Sequence, residues 1–270
     1  MEKGEPKIWE PKNSDWTYRG KVTLKYAFAR SINTVAVQLA QEVGIPEVIS
    51  YAHKLGIKTP LEDMPSTSLG SSDVSLYELV NSFGTIINEG KRTDPVLVTR
   101  IEDRFGKVIY TPAKTTKRVI SYETAWLVTE LLKGGMTEPG GTTQALWEWD
   151  LFNYNTDFGG KTGTSSNHSD AWFVGVTKNL IAGAWVGGEH RSVHFRTGRL
   201  GEGSKTALPI YGLFMEKVLK DESLKQYRGK FPSSPAQEIS KKYKCHTYIP
   251  RDTVPEVEAA EVVVEEEVFF

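Results

Sequence analysis

This 270-residue sequence has one cysteine, no long apolar run and almost no net charge. The single cysteine, Cys245, excludes an internal disulfide and a cysteine-based metal site. No uncharged apolar stretch approaches the roughly 18 residues that a membrane span requires, so we expect this chain itself to make no membrane contact. The first residues are polar and are not followed by the apolar segment of a signal peptide. With 39% hydrophobic and 25% charged residues, the composition is that of a globular protein.

The near absence of net charge removes any electrostatic argument for a nucleic-acid partner, and we expect none. Lys and Arg number 33 and Asp and Glu number 34, which gives a formal net charge of −1. This balance hides an asymmetry, because residues 251–270 carry seven acidic side chains and one arginine. The other 250 residues are therefore about +5 by difference. We expect a folded region over residues 1–230 and a disordered acidic tail over residues 231–270.

The most informative stretch is the glycine-rich segment from Gly159 to Ser165. Two apolar runs follow it, Ala171 to Val176 and Leu180 to Val186, and they predict a pair of adjacent strands. The glycine-rich segment would add a third strand whose glycines allow a ligand to approach its backbone. Lys161, two threonine hydroxyls and main-chain N–H groups on one strand edge suit a bound carboxylate or a developing oxyanion. We interpret this segment as one wall of an acyl-transfer site.

Two other interpretations of the glycine-rich segment compete with this one. A phosphate-binding P-loop would require a glycine at position 155, where the sequence has Asn155, and a helix directly afterwards. The sequence from Asp170 onward predicts a strand instead, so the P-loop is disfavoured. An ordinary glycine-rich turn remains the second alternative.

Ser31 and Asn33 lie at the junction between two predicted helices. The first helix begins near Thr23 and continues through Arg30. The second has an apolar stripe expected to be buried, and Gly44 closes it. The stripe consists of Val35, Ala36, Leu39, Ala40 and Val43. On this segment alone, the simplest role for Ser31 is to cap the second helix.

Capping signals and periodicity predict the remaining elements. Pro46 suits the first turn of a helix that ends at Gly56, and Ser75 opens a helix that reaches Asn88. A hairpin is predicted between Val96–Val98 and Val108–Tyr110. A helix is predicted to begin at Ser121 and to end at Gly134 and Gly135. The last predicted helix covers Pro209–Leu219, and its inward-facing residues would be Ile210, Leu213, Phe214 and Val218.

Ser31-x-Asn33, followed far downstream by Lys161-Thr162-Gly163 before a strand pair, resembles two of the three signatures of serine acyl-enzymes that recognise D-Ala-D-Ala peptides and β-lactams. Further stretches narrow the resemblance to the transpeptidase domain of bifunctional class A penicillin-binding proteins of 1A type. These stretches are Val22-Thr23-Leu24, Ala29 to Thr34, Gln38-Leu39-Ala40, Ser68 to Ser75, Gly160 to Ser165 and Asp170 to Gly175. The resemblance covers about residues 8–220.

This resemblance implies a fold as well as a reaction. The fold is the α+β fold of β-lactamases and transpeptidases, an antiparallel sheet sandwiched by helices, with the N-terminal part of the domain missing. The reaction is acyl transfer on peptidoglycan stem peptides, with β-lactams as inhibitors and without metal or cofactor. The implied location is extracytoplasmic, with an anchor outside this chain.

The resemblance also implies a role for each matched residue. Ser31 would relay a proton to the leaving nitrogen, and Asn33 would hydrogen-bond the substrate's peptide amide. Lys161 would supply positive charge near Ser31 and the substrate carboxylate. The substrate-binding residues would be Thr162, Gly163 and Thr164: the two threonine hydroxyls would bind the terminal carboxylate, and the Thr164 N–H would form half of the oxyanion hole.

The sequence departs from the family at the nucleophile. The family's serine belongs to Ser-x-x-Lys, several tens of residues before Ser-x-Asn, and the whole chain contains no such motif. Ser14, upstream of Ser31, is followed by Asp15-Trp16-Thr17. We therefore expect the chain alone to be unable to form an acyl-enzyme. We expect it to be part of a longer protein that holds the membrane anchor, the glycosyltransferase domain and the first half of the transpeptidase domain.

Missing strands would leave a sheet edge unpaired, so the isolated chain would be prone to associate or to swap segments. The main alternative function is a non-catalytic module that binds peptide carboxylates. A stand-alone carboxypeptidase or β-lactamase relative is disfavoured by the same missing serine.

His190 and His194 have i,i+4 spacing, but neighbouring glycines indicate a loop and no third ligand is evident, so we expect no metal site. For His168 a surface position is favoured over one lining the cleft.

Overall fold

The computed structural model describes residues 9–113, 115–241 and 243. In chain order, its helices and strands are α1 (Leu24–Ala29), α2 (Asn33–Val43), α3 (Ile45–Leu55), α4 (Leu76–Ile87), β1 (Lys91–Thr93), β2 (Ile101–Glu102), β3 (Val108–Tyr110), β4 (Thr116–Arg118), α5 (Tyr122–Thr137), β5 (Gly159–Thr164), β6 (Asp170–Val176), β7 (Ile181–Gly187), α6 (Gly198–Gly201) and α7 (Ala207–Lys220). Short 3-10 helices cover Pro65–Leu69, Thr142–Glu148, Phe152–Tyr154 and Glu222–Tyr227.

The central sheet consists of β5, β6 and β7 in that order, and both pairings are antiparallel. Lys161 lies opposite Val174, and Trp172 lies opposite Trp185. These strands coincide with the three that the sequence predicts, so that prediction is confirmed. Two smaller antiparallel pairs, β1 with β4 and β2 with β3, lie outside this sheet.

Helices cover both faces of the sheet. On one face, α7 packs so closely that a Cβ built on Gly175 would fall on the ring of Tyr211. On the other face, α5 approaches β5 so closely that a Cβ on Gly159 would lie 3.0 Å from the backbone carbon of Leu132. The helix α4 packs on β7 of that same face, with Val80 beside Gly183. The predicted sandwich of an antiparallel sheet between helices is therefore confirmed.

The main core lies between α7 and the sheet. Its fully buried members include Phe173, Leu208, Met215 and Leu219. Burial of each such side chain contributes about 1.5–3 kcal/mol, so this face anchors the sheet. A second cluster on the opposite face joins Leu132 to Val176 and fixes α5 against the strands.

The inward face predicted for α7 is wrong at three of its four positions. Ile210, Leu213 and Phe214 are 44–54% exposed, whereas Val218 is buried as predicted. The buried face is instead formed by Leu208, Tyr211, Met215 and Leu219. This helix is apolar on two sides, so its periodicity alone could not indicate which side meets the sheet.

Other predicted features of the helices and strands also differ from the structure. In α2, Leu39 and Val43 are exposed and Val37 is buried, so the predicted buried stripe is wrong at those positions. The helix α5 continues through Gly134 and Gly135 to Thr137 instead of ending there. Gly135 is required by close packing on Thr143, not by helix termination. Val96–Val98 is not a strand, and Val108–Tyr110 pairs with Ile101–Glu102 instead.

The caps of two helices follow the sequence. Ser75 accepts a hydrogen bond from the backbone N–H of Glu78 at the start of α4. Gly56 follows the last residue of α3, as predicted. Among the described residues, none of the helices combines the length and apolarity needed to cross a membrane.

The chain continues past residue 230 along α5. Phe231 is buried, and the backbone N–H of Ala236 donates to the hydroxyl of Tyr122. Ser240 donates to the Glu123 carboxylate. The remainder of the predicted acidic tail, residue 242 and residues 244–270, lies outside the described residues, so its disorder stays a prediction.

Candidate active site

Ser31 occupies the left-handed position that ends α1. Its backbone N–H donates to the carbonyl of Phe28 at 3.1 Å, and the next N–H, that of Ile32, donates to Ala27 at 2.9 Å. This pair of bonds defines a Schellman motif, with Ser31 at the position where glycine is usual. Ser31 accordingly has φ +55°. Such a conformation costs a non-glycine residue roughly 1–2 kcal/mol, so the surrounding structure must hold it.

Ser31 does not cap α2, and the capping interpretation is therefore wrong. The N-cap position belongs to Ile32, whose side chain has no hydrogen-bonding group. The cap comes instead from Asn13, whose Oδ1 accepts from the backbone N–H of Thr34 at 3.1 Å. The Ser31 hydroxyl is thereby left available for another partner.

That partner is Lys161. The Nζ of Lys161 donates to the Oγ of Ser31 at 2.7 Å and to the carbonyl of Thr162 at 2.9 Å. Lys161 lies on the face of β5 opposite α7, because it is in register with Val174, the neighbour of the α7-facing Phe173. On this face α5 packs on β5 and α1 packs on α5, and this stacking brings the end of α1 to the lysine.

Desolvation lowers the pKa of Lys161. Although part of the residue remains accessible, burial of the ammonium group lowers its pKa from the usual 10.5 to about 8. The amine is therefore mostly protonated at neutral pH but close enough to neutrality to release a proton. A lysine in this state can both donate to a serine oxygen and exchange protons with it.

Asn33 lies in the first turn of α2, half-buried beside Ser31. Its Nδ2 donates to the backbone carbonyl of Lys12 at 2.7 Å. This bond leaves the Oδ1 of Asn33 as the atom that can accept from a ligand N–H.

Thr162, Gly163 and Thr164 form the end of β5. None of the strands in the described chain pairs with the outer edge of β5, so its backbone is open to an extended ligand. Gly163 packs on Trp172, where a Cβ would lie 3.1 Å from that of the tryptophan. The Oγ1 of Thr164 accepts from the backbone N–H of Gly203 at 3.0 Å, which leaves its own hydrogen to donate.

The structure excludes both alternative interpretations of the glycine-rich segment. It is a strand followed by a turn and β6, so neither a P-loop nor a simple turn describes it.

His190 and His194 lie in the loop after β7, and His168 is half-buried in the turn before β6, beside Gly198 and Gly201. Within the described residues, no group of three or more His, Cys, Asp or Glu side chains could hold a metal ion.

The sequence predictions missed the contribution of the N-terminal loop. Asn13 is 4% exposed, and Asp15 pairs with Arg30, directly before Ser31, at 3.3 Å. The short run from Asn13 to Thr17, polar apart from Trp16, is typical of a turn. That signal gives no indication that the turn closes on a helix start about 20 residues later.

Comparison with known proteins identifies the family. The model of the penicillin binding protein transpeptidase domain matches residues 1–184. Penicillin-binding protein 1A of Clostridium botulinum (strain Hall) is 35% identical over 214 residues, which cover 77% of this chain and 24% of the relative. Penicillin-binding protein 1A of Rickettsia bellii is 31% identical over 237 residues, covering 79% of this chain and 29% of the relative. The chain thus spans about a quarter of the length of these relatives.

Solved structures share the fold. Penicillin-binding protein 1A from Haemophilus influenzae superposes with a TM-score of 0.75 at 23% identity, covering 87% of this chain and 39% of that protein. The PonA1 protein from Mycobacterium tuberculosis in complex with penicillin V gives a TM-score of 0.66 at 21% identity, covering 83% of this chain and 65% of that protein. The family match and the shared fold lead to one conclusion: this chain belongs to the penicillin-binding protein transpeptidase family.

Proposed function

We propose that this chain is the carboxy-terminal portion of a peptidoglycan DD-transpeptidase, with residues 1–230 contributing to the transpeptidase domain. One observation carries the proposal. The desolvated amine of Lys161 lies 2.7 Å from the Ser31 hydroxyl, beside a strand edge that no described strand covers. A serine hydroxyl that accepts from a lysine directs its own hydrogen elsewhere, and this suits proton delivery to a leaving group.

The proposed reaction cleaves the terminal D-Ala-D-Ala amide. A serine nucleophile attacks the penultimate carbonyl and loses its proton to the Ser31–Lys161 pair, and the C–N bond breaks as Ser31 gives its proton to the departing nitrogen. Lys161 returns a proton to the Ser31 oxygen, which its pKa of about 8 allows. An amine of a second stem peptide then attacks the ester, and the nucleophile's oxygen leaves with a proton returned through the same pair.

The open edge of β5 would hold the substrate. From the face of β5 opposite the Lys161 side chain, the Thr162 and Thr164 hydroxyls would donate to the terminal carboxylate at the strand edge. The Asn33 Oδ1 would accept from the peptide N–H, and the Thr164 N–H would stabilise the oxyanion. Loss of one oxyanion donor typically reduces the rate 10²–10³-fold.

The nucleophile would come from another segment of the longer protein, because this chain contains no Ser-x-x-Lys. Two features support a larger domain. The outer edge of β7 has no partner strand in the described part of the chain, and Ile210, Leu213 and Phe214 form an exposed apolar face on α7. Further strands and a helix of the longer protein would cover both surfaces. We propose that the whole protein acts outside the cytoplasmic membrane, held there by a segment other than this chain.

Covalent labelling by a fluorescent penicillin tests the proposal. The isolated 270-residue chain should show no saturable label, whereas the protein expressed from an extended upstream reading frame should be labelled. A Lys161→Met change in the extended protein should reduce the labelling rate at least about 100-fold. Saturable label on the isolated chain would contradict its proposed inactivity. An upstream frame without Ser-x-x-Lys would favour the non-catalytic carboxylate-binding module.

A further inference from the structure

The segment from Lys12 to Arg19 lies against the α1–α2 junction, and we refer to it as the N-terminal clasp. It contacts the junction at three places. The Lys12 carbonyl accepts from Asn33 at 2.7 Å, Asn13 accepts from Thr34 at 3.1 Å, and the Asp15 carboxylate pairs with Arg30 at 3.3 Å. The clasp thus holds the residues immediately before and after Ser31.

Asn13 is the buried centre of the clasp. Both polar atoms of its side chain are satisfied, since Oδ1 accepts from the N–H and the Oγ1 of Thr34 and Nδ2 donates to the carbonyl of Thr17 at 2.9 Å. Thr34 is the second residue of α2, whose N–H is a usual target of a helix cap. Asn13 therefore performs the function of an N-cap from 21 positions away.

The position of this cap matters because Ser31 is held in an unfavourable backbone conformation. The Schellman bonds of α1 fix one side of Ser31. On the other side, the N-cap residue Ile32 offers no side-chain bond, so Asn13 supplies the side-chain cap of the first turn of α2. Without that cap the turn could fray, and Ser31 could relax away from Lys161.

We propose that Asn13 is a positioning residue for the Ser31–Lys161 pair and for the Asn33 amide. The inference rests on the proposed function of the same site, since it assigns to Asn13 the task of holding Ser31 and Asn33 in their working geometry. Asn13 itself acts through Thr34 and the turn, not on the substrate. Its removal should open the site to water before it unfolds the domain.

The titration of Lys161 in the 270-residue chain tests this role. With ¹³C-labelled lysine, the Lys161 signal is assigned by Lys161→Arg and followed against pH by NMR. Asn13→Ala should raise the pKa of Lys161 from about 8 by at least about 0.5, because water reaches an amine that Ser31 no longer closes off. Ser121→Ala is the matched control, since it removes the cap that accepts from Thr124 at the start of α5.

The control variant should lose stability comparably yet leave the Lys161 pKa within about 0.1 of the wild-type value. An Asn13→Ala variant that melts earlier with an unchanged Lys161 pKa would overturn the proposal and leave Asn13 as a structural cap only. If that variant does not fold, Asn13→Ser, whose hydroxyl is too short to reach Thr34, decides by the same criterion. The titration involves no acyl transfer, so a failed penicillin-labelling experiment would leave this test intact.

Discussion

The amine of Lys161 lies 2.7 Å from the hydroxyl of Ser31, although 130 positions separate them in the chain. One comes from the edge strand of the sheet and the other from the turn between two helices. The contact depends on the stacking of α1 on α5 and of α5 on β5.

The buried amine of Lys161 should make stability depend on pH. Because its pKa is about 8 in the folded chain and 10.5 when unfolded, the unfolded state binds more protons between these values. Stability should therefore increase as pH rises, by about 2 kcal/mol between pH 7 and pH 9.5, and this gain should be lost as pH falls back to about 8. Urea unfolding of wild type and Lys161→Met measures this term, which the variant should lack. Equal pH slopes for both proteins would contradict the desolvated lysine.

The left-handed conformation of Ser31 should distinguish glycine from alanine at this position. Both Ser31→Gly and Ser31→Ala remove the hydroxyl that Lys161 contacts, so they differ only in backbone preference. Glycine should be the more stable variant by about 1 kcal/mol, because it adopts positive φ without steric cost. Chemical denaturation of the pair measures the difference. An alanine variant as stable as the glycine variant would argue against φ +55° at this residue.

Close packing of α7 on the sheet should make Gly175 intolerant of a side chain. A methyl group there would meet the Tyr211 ring, so Gly175→Ala should cost about 1–3 kcal/mol or more. Gly84→Ala is the control, since its nearest neighbour, a methyl carbon of Ile181, is 3.8 Å away and the site lies within α4. That change should stabilise the chain by up to about 1 kcal/mol. Thermal unfolding that ranked the two variants in the opposite order would contradict this packing.

The Thr164 hydroxyl should matter for ligand binding more than for folding. In the extended protein, Thr164→Val should reduce the rate of penicillin acylation about 10–100-fold, because a hydrogen bond to a carboxylate is lost. Thr164→Ser keeps the hydroxyl and should stay within a few-fold of wild type. Acylation rates from stopped-flow measurements compare the two. A valine variant that reacts like the serine variant would remove Thr164 from the substrate site.

The sequence alone is sufficient to predict the elements that local signals define. The strands β5 to β7 follow from an apolar pattern broken by glycines, and the start of α4 follows from Ser75 and Glu78. The resemblance to the family implies that Ser31 and Lys161 belong to one site, which no local signal indicates. Local reasoning at Ser31 favours a helix cap, which is wrong because Asn13 supplies the side-chain cap of α2.

What could not be predicted depends on contacts between distant segments. The inward face of α7 cannot be assigned from the sequence because Ile210, Leu213 and Phe214 are as apolar as the residues that meet the sheet. The continuation of α5 through Gly135 is decided by its packing on Thr143, which no local pattern shows. The role of Asn13 depends on a chain reversal that places it beside Thr34.

The titration of the Lys161 amine in the wild-type chain tests the central claim most directly. Lysine labelled with ¹³C reports the titration, and Lys161→Arg assigns the Lys161 signal. That signal should titrate with a pKa of about 8, and this pKa should change when Ser31 is replaced by Ala. A Lys161 pKa at its usual 10.5, with no response to Ser31→Ala, would show that the two groups do not form one buried site.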